Sequence, residues 1–317
     1  MAEQGVSLTP SRVRTRRRTW WVRTRSERVG ILFTLPWIVG IMAFIAYPTV
    51  ASLFYSLTRY DLLQQPVFIG LGNYEQLFRD PLMGTAIKNT VYYMVISIPL
   101  NIVVSILVAL LLNLKVKGMA VYRTLFYMPS LVPPVATSLL WVWVLNPQYG
   151  VVNWLLSLVG IAGPGWLASV TWSKPAIILI SLWGGLGGGM ILFLASLQDV
   201  PQDVRDAALV DGANAWQRFW AIVLPMLTPV VFYELILGII GGFQYFVVPY
   251  VVTGGTGNPA NSLTLFAVLL YRDAFFNFKM GYASAMAWSA MVVIFALTFV
   301  VFRTSNRWVF YQSGEAR

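Results

Sequence analysis

Long apolar segments alternate with shorter polar ones along most of the chain. Six of the apolar segments are long enough to be membrane-spanning helices, at about 31–52, 89–114, 124–145, 175–196, 225–251 and 281–302. A helix needs roughly 20 apolar residues to cross the hydrocarbon core of a bilayer. The pattern therefore predicts an all-α integral membrane protein with six transmembrane helices, which places both termini on the same side.

The polar segments predict the domain organisation. Residues 1–29 form a polar tail with eight arginines, 30–305 the six-helix transmembrane domain, and 306–317 a short second tail. The first apolar run is much longer than the core of a signal peptide, so we expect it to remain as the first span. Asn146-Pro147 breaks a long uncharged run, and residues 148–172 are predicted to form an external loop with an interfacial helix.

The distribution of charge predicts the orientation. The chain carries 22 Lys and Arg against 12 Asp and Glu, a net charge of +10. Most of the basic residues fall in the two tails and in segments 113–123 and 197–224. Lys and Arg concentrate in cytoplasmic segments of membrane proteins, so we predict cytoplasmic termini and a cytoplasmic loop at 199–225. Orientation accounts for the positive charge without a nucleic acid partner.

Composition argues against catalysis by this chain. It is 58% hydrophobic and only 11% charged, and it has no Cys and no His. The commonest general base, thiolate nucleophile and metal ligands are therefore missing. There is no G-x-x-x-x-G-K-[ST] motif, and the glycine-rich run 184–189 lies inside a predicted span, where close helix packing or a kink is the expected role. We expect no enzyme activity, metal or cofactor in this chain.

The loop at 199–225 has a predictable local structure. Asp199 is predicted to cap a short helix with Pro201 in its first turn. Asp206 follows near the positive end of the helix dipole. Ala208 and Gly212 are four residues apart and share a face, where small residues let a partner approach closely. Gly212 is predicted to end the helix in a left-handed turn.

The spacing of this loop matches a known pattern. Asp206-Ala207-Ala208 is followed after three residues by Gly212 and, nine residues later, by Ile222-Val-Leu-Pro225. The segment resembles the EAA loop, EAA-x3-G-x9-I-x-L-P, of permease subunits in binding-protein-dependent ABC importers, with Asp206 in place of the leading Glu. In that family the loop forms a short cytoplasmic helix that docks in a cleft of the ATPase subunit. The coupling residues implied by the resemblance are Asp206, Ala207, Ala208, Asp211, Gly212 and Pro225.

Other segments resemble the first membrane subunit of carbohydrate-uptake (maltose-type) importers, over roughly residues 30–305. They are 69–74, 89–90, 123–129, 253–255 and 280–285. The extra N-terminal spans and large external insertion of the maltose-type subunit are absent from this chain. The resemblance implies a sugar permease in the cytoplasmic membrane of a bacterium or archaeon. Its implied partners are a second homologous permease chain, two ATPase subunits that bind ATP and Mg, and an extracytoplasmic solute-binding protein.

Sugar recognition calls for aromatic faces and neutral hydrogen-bonding groups, because sugars present apolar C–H faces and many hydroxyls. The best candidate is Gln244 in the fifth span, where the resembled family places substrate contacts. Phe243 and Tyr245 flank it, and Trp183 and Trp288 are weaker candidates in spans four and six. Packing within the membrane is the ordinary role of such aromatic residues.

Glu234 is the one acidic residue inside a predicted span. An unpaired ionised carboxylate in the bilayer is costly, so Glu234 is either a gate or inter-subunit contact, or an acid tolerated against a neighbouring helix. Three alternatives to a sugar importer stay open. They are an ABC importer for another solute such as glycerol-3-phosphate, a proton-coupled secondary carrier that uses Glu234, and a non-transport scaffold or membrane enzyme.

Overall fold

The structure, a computed structural model, describes residues 20–310. These residues are mainly helical, and within them the only sheet is one two-stranded hairpin. They fall into two compact units, one ending at Ser52 and the other beginning at Leu53. The parts of the predicted tails at 1–19 and 311–317 lie outside the described residues.

The described residues contain fourteen α-helices. They are α1 (Trp20–Ile41), α2 (Tyr47–Ser56), α3 (Gly72–Arg79), α4 (Pro81–Leu112), α5 (Met119–Tyr127), α6 (Pro134–Val144), α7 (Val151–Leu158), α8 (Ser173–Gln198), α9 (Gln202–Val210), α10 (Ala215–Arg218), α11 (Leu224–Phe243), α12 (Val247–Thr253), α13 (Phe266–Tyr271) and α14 (Met280–Ser305). Turns of π-helix occupy Met42–Ala46, Phe219–Val223 and Arg272–Phe276, and a 3₁₀ turn occupies Met128–Leu131. Strands β1 (Thr58–Arg59) and β2 (Val67–Phe68) pair antiparallel.

Five helical segments are long and apolar enough to cross a membrane. They are Arg28–Ser56, Pro81–Leu112, Ser173–Gln198, Ala215–Thr253 and Met280–Ser305. A sixth candidate is the pair Met119–Leu131 and Pro134–Val144, whose halves are bent by 99°. Each predicted span therefore has a helical counterpart when the bent pair is counted as one. The all-α membrane fold is confirmed.

The bent pair corrects the prediction of one straight span at 124–145. Pro133 and Pro134 interrupt it, and Pro134 becomes the first residue of α6. Proline has no backbone N–H and clashes with the preceding turn, so it starts a helix more readily than it continues one. The 3₁₀ turn at Met128–Leu131 closes the first half before this break.

Two helix starts also differ from the predictions. Helix α4 begins at Pro81 rather than at residue 89, because the Asp80 side chain accepts a hydrogen bond from the Leu82 N–H (2.8 Å) and Pro81 suits the first helical position. Helix α1 begins at Trp20, inside the segment predicted to be a polar tail. Polarity alone did not prevent helix formation there.

The core of the second unit is built on α4 and α8. One hydrophobic cluster packs around the N-terminal half of α4 and includes Tyr93 and Ile177. A second packs around its C-terminal half and includes Leu112 and Phe193. Between them the glycine-rich run of α8 meets a polar stripe of α4, and a Cβ added at Gly189 would lie 2.7 Å from the Ser105 Oγ. Close helix packing therefore accounts for part of the run.

Buried amides fix the segments between spans. Asn73 donates to the Ser56 and Thr58 carbonyls, both at 2.8 Å, and so joins the start of α3 to the hairpin. Asn89 donates to the Asn261 and Thr264 carbonyls, at 2.8 and 3.1 Å. These amides satisfy backbone acceptors that would otherwise be unpaired in a buried setting. They hold the polar connections against the helical core.

Candidate functional site

The fifth span is broken near its C-terminal end. Helix α11 ends at Phe243 and α12 begins at Val247, which leaves Gln244, Tyr245 and Phe246 outside regular helix. Irregular backbone at membrane depth is tolerated where it is buried in protein or lines a cavity, and broken helices are typical of substrate sites in transporters. The break coincides with the segment that the sequence analysis singled out.

A cavity of about 460 Å³ lies beside this break, between the two hydrophobic clusters. Its walls come from α4, α8 and α11, with smaller contributions from the bent pair and α12. The polar or aromatic residues that line it are Tyr93, Ser97, Asn101, Ser130, Thr137, Ser181, Glu234 and Tyr245. Among these wall residues of the described chain, none is Lys or Arg.

Two stacked tyrosines form one wall of the cavity. The rings of Tyr93 and Tyr245 have centroids 4.3 Å apart and planes at 9°. The Tyr245 hydroxyl donates to the Ile177 carbonyl at 3.4 Å. Such a pair offers an apolar ring surface that suits the C–H faces of a sugar. Its phenolic hydroxyls suit the hydroxyl groups of the sugar.

Asn101 supplies the amide in this cavity. Its Oδ1 accepts from the Ser105 hydroxyl at 3.3 Å, whereas its Nδ2 donates no hydrogen bond within residues 28–310. Gly185 lies opposite, and a Cβ there would lie 2.7 Å from that Nδ2. The glycine therefore gives the amide room at the cavity wall, and the amide is left as a donor for a ligand.

The wall residues of α4 were not predicted, although the sequence of this helix carries a recognisable pattern. Tyr93, Ser97, Asn101 and Ser105 recur every fourth position in an otherwise apolar span. Residues four apart share a helix face. A polar stripe inside a membrane span indicates either a helix contact or a cavity, and here it forms both.

The predicted substrate residues are placed in different settings. Tyr245 lines the cavity. Phe243 is buried at the end of α11, with its ring 6.0 Å from that of Phe266. Gln244 is exposed on the surface of the single chain and is not among the wall residues. Trp183 packs edge-to-face on Trp141 (5.9 Å) rather than lining the cavity.

Trp288 and Glu234 complete the set of predicted membrane residues. Trp288 lies half-buried on α14 and outside the cavity wall. Glu234 is half-buried on α11 and lines the cavity. Within the described residues its carboxyl group forms no ion pair and no side-chain hydrogen bond. The acid therefore faces the cavity and no basic side chain among residues 28–310.

The predicted coupling loop folds as two short helices. Asp199 does not cap α9, as the sequence analysis expected. It follows the last turn of α8, and Pro201 precedes α9 without any side-chain cap. Gly212 does end α9 in the left-handed conformation, with φ +79°. Its N–H donates to the Leu209 carbonyl (3.1 Å) and the next N–H, from Ala213, to the Ala208 carbonyl (2.9 Å), the bond pattern of a Schellman motif.

The remaining loop residues are mostly on the surface. Asp206, Ala207, Asp211 and Gly212 are exposed, Ala208 is half-buried, and Pro225 lies in the first turn of α11. Val210 is 88% exposed and Leu209 is 55% exposed. Arg205 donates from Nη2 to the Leu197 carbonyl (2.7 Å) and so joins α9 to the end of α8. Helix α9 thus presents an apolar surface while it is held to a core helix.

Comparisons with known proteins agree with this architecture. Residues 101–310 match the family model described as the binding-protein-dependent transport system inner membrane component. The chain is 40% identical to the probable ABC transporter permease protein YesP of Bacillus subtilis over 92% of its length and 94% of the relative. It is 35% identical to the lactose transport system permease protein LacF of Rhizobium radiobacter, over 86% and 92% respectively.

A solved structure shares the fold. The chain is similar, with a TM-score of 0.76 and 23% identity, to a chain of a bacterial alginate ABC transporter in complex with an alginate pentasaccharide-bound periplasmic protein. The match covers 90% of this chain and 97% of that one. Together with the family match and the relatives, this places the protein in a known class: the chain belongs to the family of inner membrane components of binding-protein-dependent transport systems, as a multi-pass permease of the sugar ABC importer type.

Proposed function

We propose that the chain is the transmembrane permease subunit of an ATP-driven importer for a neutral sugar or oligosaccharide. It forms the translocation pore with a second homologous permease chain. An extracytoplasmic binding protein delivers the substrate, and two ATPase subunits bind ATP and Mg on the other side. The loop at 199–225 transmits the motion of one ATPase subunit to the spans.

The observation that carries the sugar assignment is the chemistry of the cavity. It combines a stacked pair, Tyr93 and Tyr245, with hydroxyl groups and the free Nδ2 donor of Asn101. Ligand sites of this kind are mostly apolar, with a few polar groups that fix orientation. The substrate would pass through this cavity at the break between α11 and α12.

Charge in the cavity separates this proposal from its closest alternative. An importer of glycerol-3-phosphate would need a cation to pair with the phosphate. The one charged residue of the cavity wall in the described chain is Glu234, which would repel a phosphate. A neutral sugar faces no such penalty, and its hydroxyls can donate to the carboxylate.

Coupling through the loop is supported by the surface of α9. Its exposed apolar residues and the left-handed turn at Gly212 suit contact with another protein. The hydrogen bond from Arg205 of α9 to the Leu197 carbonyl links the loop directly to α8, a helix that lines the cavity. Rigid-body movement of the docked loop would then alter access to the cavity, a recognised form of switching. Because the sequence has no nucleotide-binding loop, the energy would come from the partner subunits.

The experiment is a reconstitution in proteoliposomes with the second permease, the ATPase subunits and the binding protein. ATP hydrolysis and uptake are measured with binding protein loaded with neutral oligosaccharides, with glycerol-3-phosphate, or with no solute. We expect stimulation only by a neutral sugar, and at least about tenfold lower uptake in Asn101→Ala. Stimulation by the phosphate ester would contradict the substrate assignment. Uptake without any ATPase subunit would favour the proton-coupled carrier and overturn the proposal.

A further inference from the structure

A second cavity lies at the opposite end of α4 from the hairpin. It has a volume of about 540 Å³ and is enclosed by the ends of α4 and α8, helix α9, and the start of the fifth span. Two arginines, Arg205 and Arg218, and one acid, Asp206, line it. We call it the arginine groove. The sugar pathway proposed above does not use it.

Both guanidinium groups in the arginine groove have buried nitrogens without a partner. Arg205 uses Nη2 on the Leu197 carbonyl, but its Nε is buried and unbonded. Arg218 forms no side-chain hydrogen bond or ion pair within the described residues, and its Nη1 is fully buried. Asp206 is exposed and pairs with neither arginine. A buried charged donor without an acceptor is costly, so binding of an anion in the groove would be stabilising.

The rest of the groove wall is apolar. Leu110 and Leu114 come from the end of α4, and Phe219, Ile222 and Val223 from the π-helical turn. Trp216 and Trp220 lie beside it, against Phe219, and are 69% and 51% exposed. Tryptophan at such positions marks the boundary between lipid and water. A ligand that fits this wall has an anionic head and an apolar body.

We propose that the arginine groove binds one anionic phospholipid, with the phosphate against Arg218 and Arg205 and the acyl chains along the leucines and Phe219. The inference rests on the proposed function in one respect, the placement of loop 199–225 on the cytoplasmic side, where anionic lipids are abundant. A lipid in the groove would touch both α9 and the ends of two core helices. Lipid occupancy would therefore stiffen the link between the coupling loop and the cavity.

Native mass spectrometry of the purified chain tests the site without any transport assay. Phosphatidylglycerol and phosphatidylcholine are titrated separately onto delipidated protein in detergent. We expect one phosphatidylglycerol to be retained with at least about tenfold preference over phosphatidylcholine. Arg218→Gln should weaken its retention about tenfold, the size expected from loss of one charge-assisted contact, and Arg218→Lys should weaken it less. Arg303→Gln, which removes an exposed arginine from the last turn of α14, is the matched control and should retain the lipid.

Three outcomes would overturn the proposal. Equal retention by the unmodified chain, Arg218→Gln and Arg303→Gln would mean that only lipid surrounding the spans is detected. Displacement of the lipid by equal concentrations of inorganic phosphate would identify a soluble anion as the ligand. When the chain is co-expressed with the ATPase subunits, loss of their co-purification in Arg218→Gln, with lipid retention unchanged, would assign the groove to a protein contact. A failure of sugar uptake alone would contradict the proposed substrate and leave the lipid site standing.

Discussion

Tyr93 and Tyr245 stack face to face across the wall of the cavity, with 4.3 Å between ring centroids. One ring comes from α4, in the middle of an unbroken helix, and the other from the irregular segment between α11 and α12. The contact therefore ties an unbroken helix to the broken fifth span. Its loss should alter both the shape of the cavity and the position of the break.

We predict that Tyr245→Ala lowers sugar uptake at low substrate concentration by at least about tenfold. An aromatic pair contributes roughly 0.5–1.5 kcal/mol beyond its buried area, and the substitution also removes part of the cavity wall. Tyr245→Phe keeps the ring and loses the hydroxyl, with its long 3.4 Å hydrogen bond to Ile177 and its contacts with Tyr93 and Ser181. It should stay within about threefold of the unmodified protein. Equal effects of the two substitutions in a proteoliposome uptake assay would show that the hydroxyl, and not the stack, matters.

Glu234 gives a second prediction, because it faces the cavity without a cationic partner in the described residues. In an importer of neutral sugars, Glu234→Gln keeps the hydrogen-bonding capacity and should retain ATP-driven uptake within about threefold. Glu234→Lys has a similar length but brings a cation into the cavity and should abolish uptake. Loss of all uptake in Glu234→Gln, with the complex still assembled, would instead indicate an obligatory proton carrier.

The glycine-rich run offers a matched pair of substitutions. At Gly189 an added Cβ would meet the Ser105 Oγ at 2.7 Å, whereas at Gly188 it would meet nothing within 4 Å. Gly189→Ala should lower stability by about 1–3 kcal/mol through overpacking. Gly188→Ala should be neutral or stabilising by up to about 1 kcal/mol, because alanine is the better helix former.

Thermal unfolding of the two variants in the same detergent measures this difference. The melting temperature of Gly189→Ala should fall below that of Gly188→Ala. Equal melting temperatures would mean that α4 and α8 separate enough to admit a methyl group. In that case close packing would not explain the glycine at position 189.

The sequence predicted the apolar spans well because a bilayer imposes a single length and a single polarity on every crossing helix. It did not predict the 99° bend between Leu131 and Pro134, although Pro133-Pro134 marked the place. Substrate recognition by Gln244 stays a prediction, and the residue lies at the helix break on the exposed surface of the single chain. The direction of a side chain at a break depends on how α11 and α12 are oriented, and this is set by tertiary packing rather than by local pattern.

The polar wall of the cavity could not be predicted from local sequence pattern either. Asn101 and Ser97 recur on one face of α4, but a polar face in a membrane span can serve helix contact as well as ligand binding. Both opposing glycines of α8 lie close to this face, since an added Cβ would come within 2.7 Å of Asn101 at Gly185 and of Ser105 at Gly189. The two positions differ in that Asn101 and Gly185 also line the cavity, whereas Ser105 and Gly189 do not. That distinction requires two helices to be placed side by side, which no single segment of sequence provides.

The last prediction concerns Gly212, whose φ of +79° is required by the turn that ends α9. A β-branched residue in this conformation is strained by roughly 1–3 kcal/mol. Gly212→Val should therefore displace the loop. We expect the complex to keep hydrolysing ATP, while sugar uptake per ATP falls by at least about tenfold. The ratio of uptake to phosphate release in proteoliposomes measures this effect directly.

Gly212→Asn is the control, because asparagine adopts the left-handed conformation more readily than other residues with a side chain. A Cβ at this position would meet nothing within 4 Å in the chain itself, so any residual defect of Gly212→Asn reports on space needed by a partner. We expect its coupling ratio to lie between those of the unmodified protein and Gly212→Val. Normal coupling in both variants would show that neither the turn nor the space around it transmits force, and it would remove loop 199–225 from the mechanism.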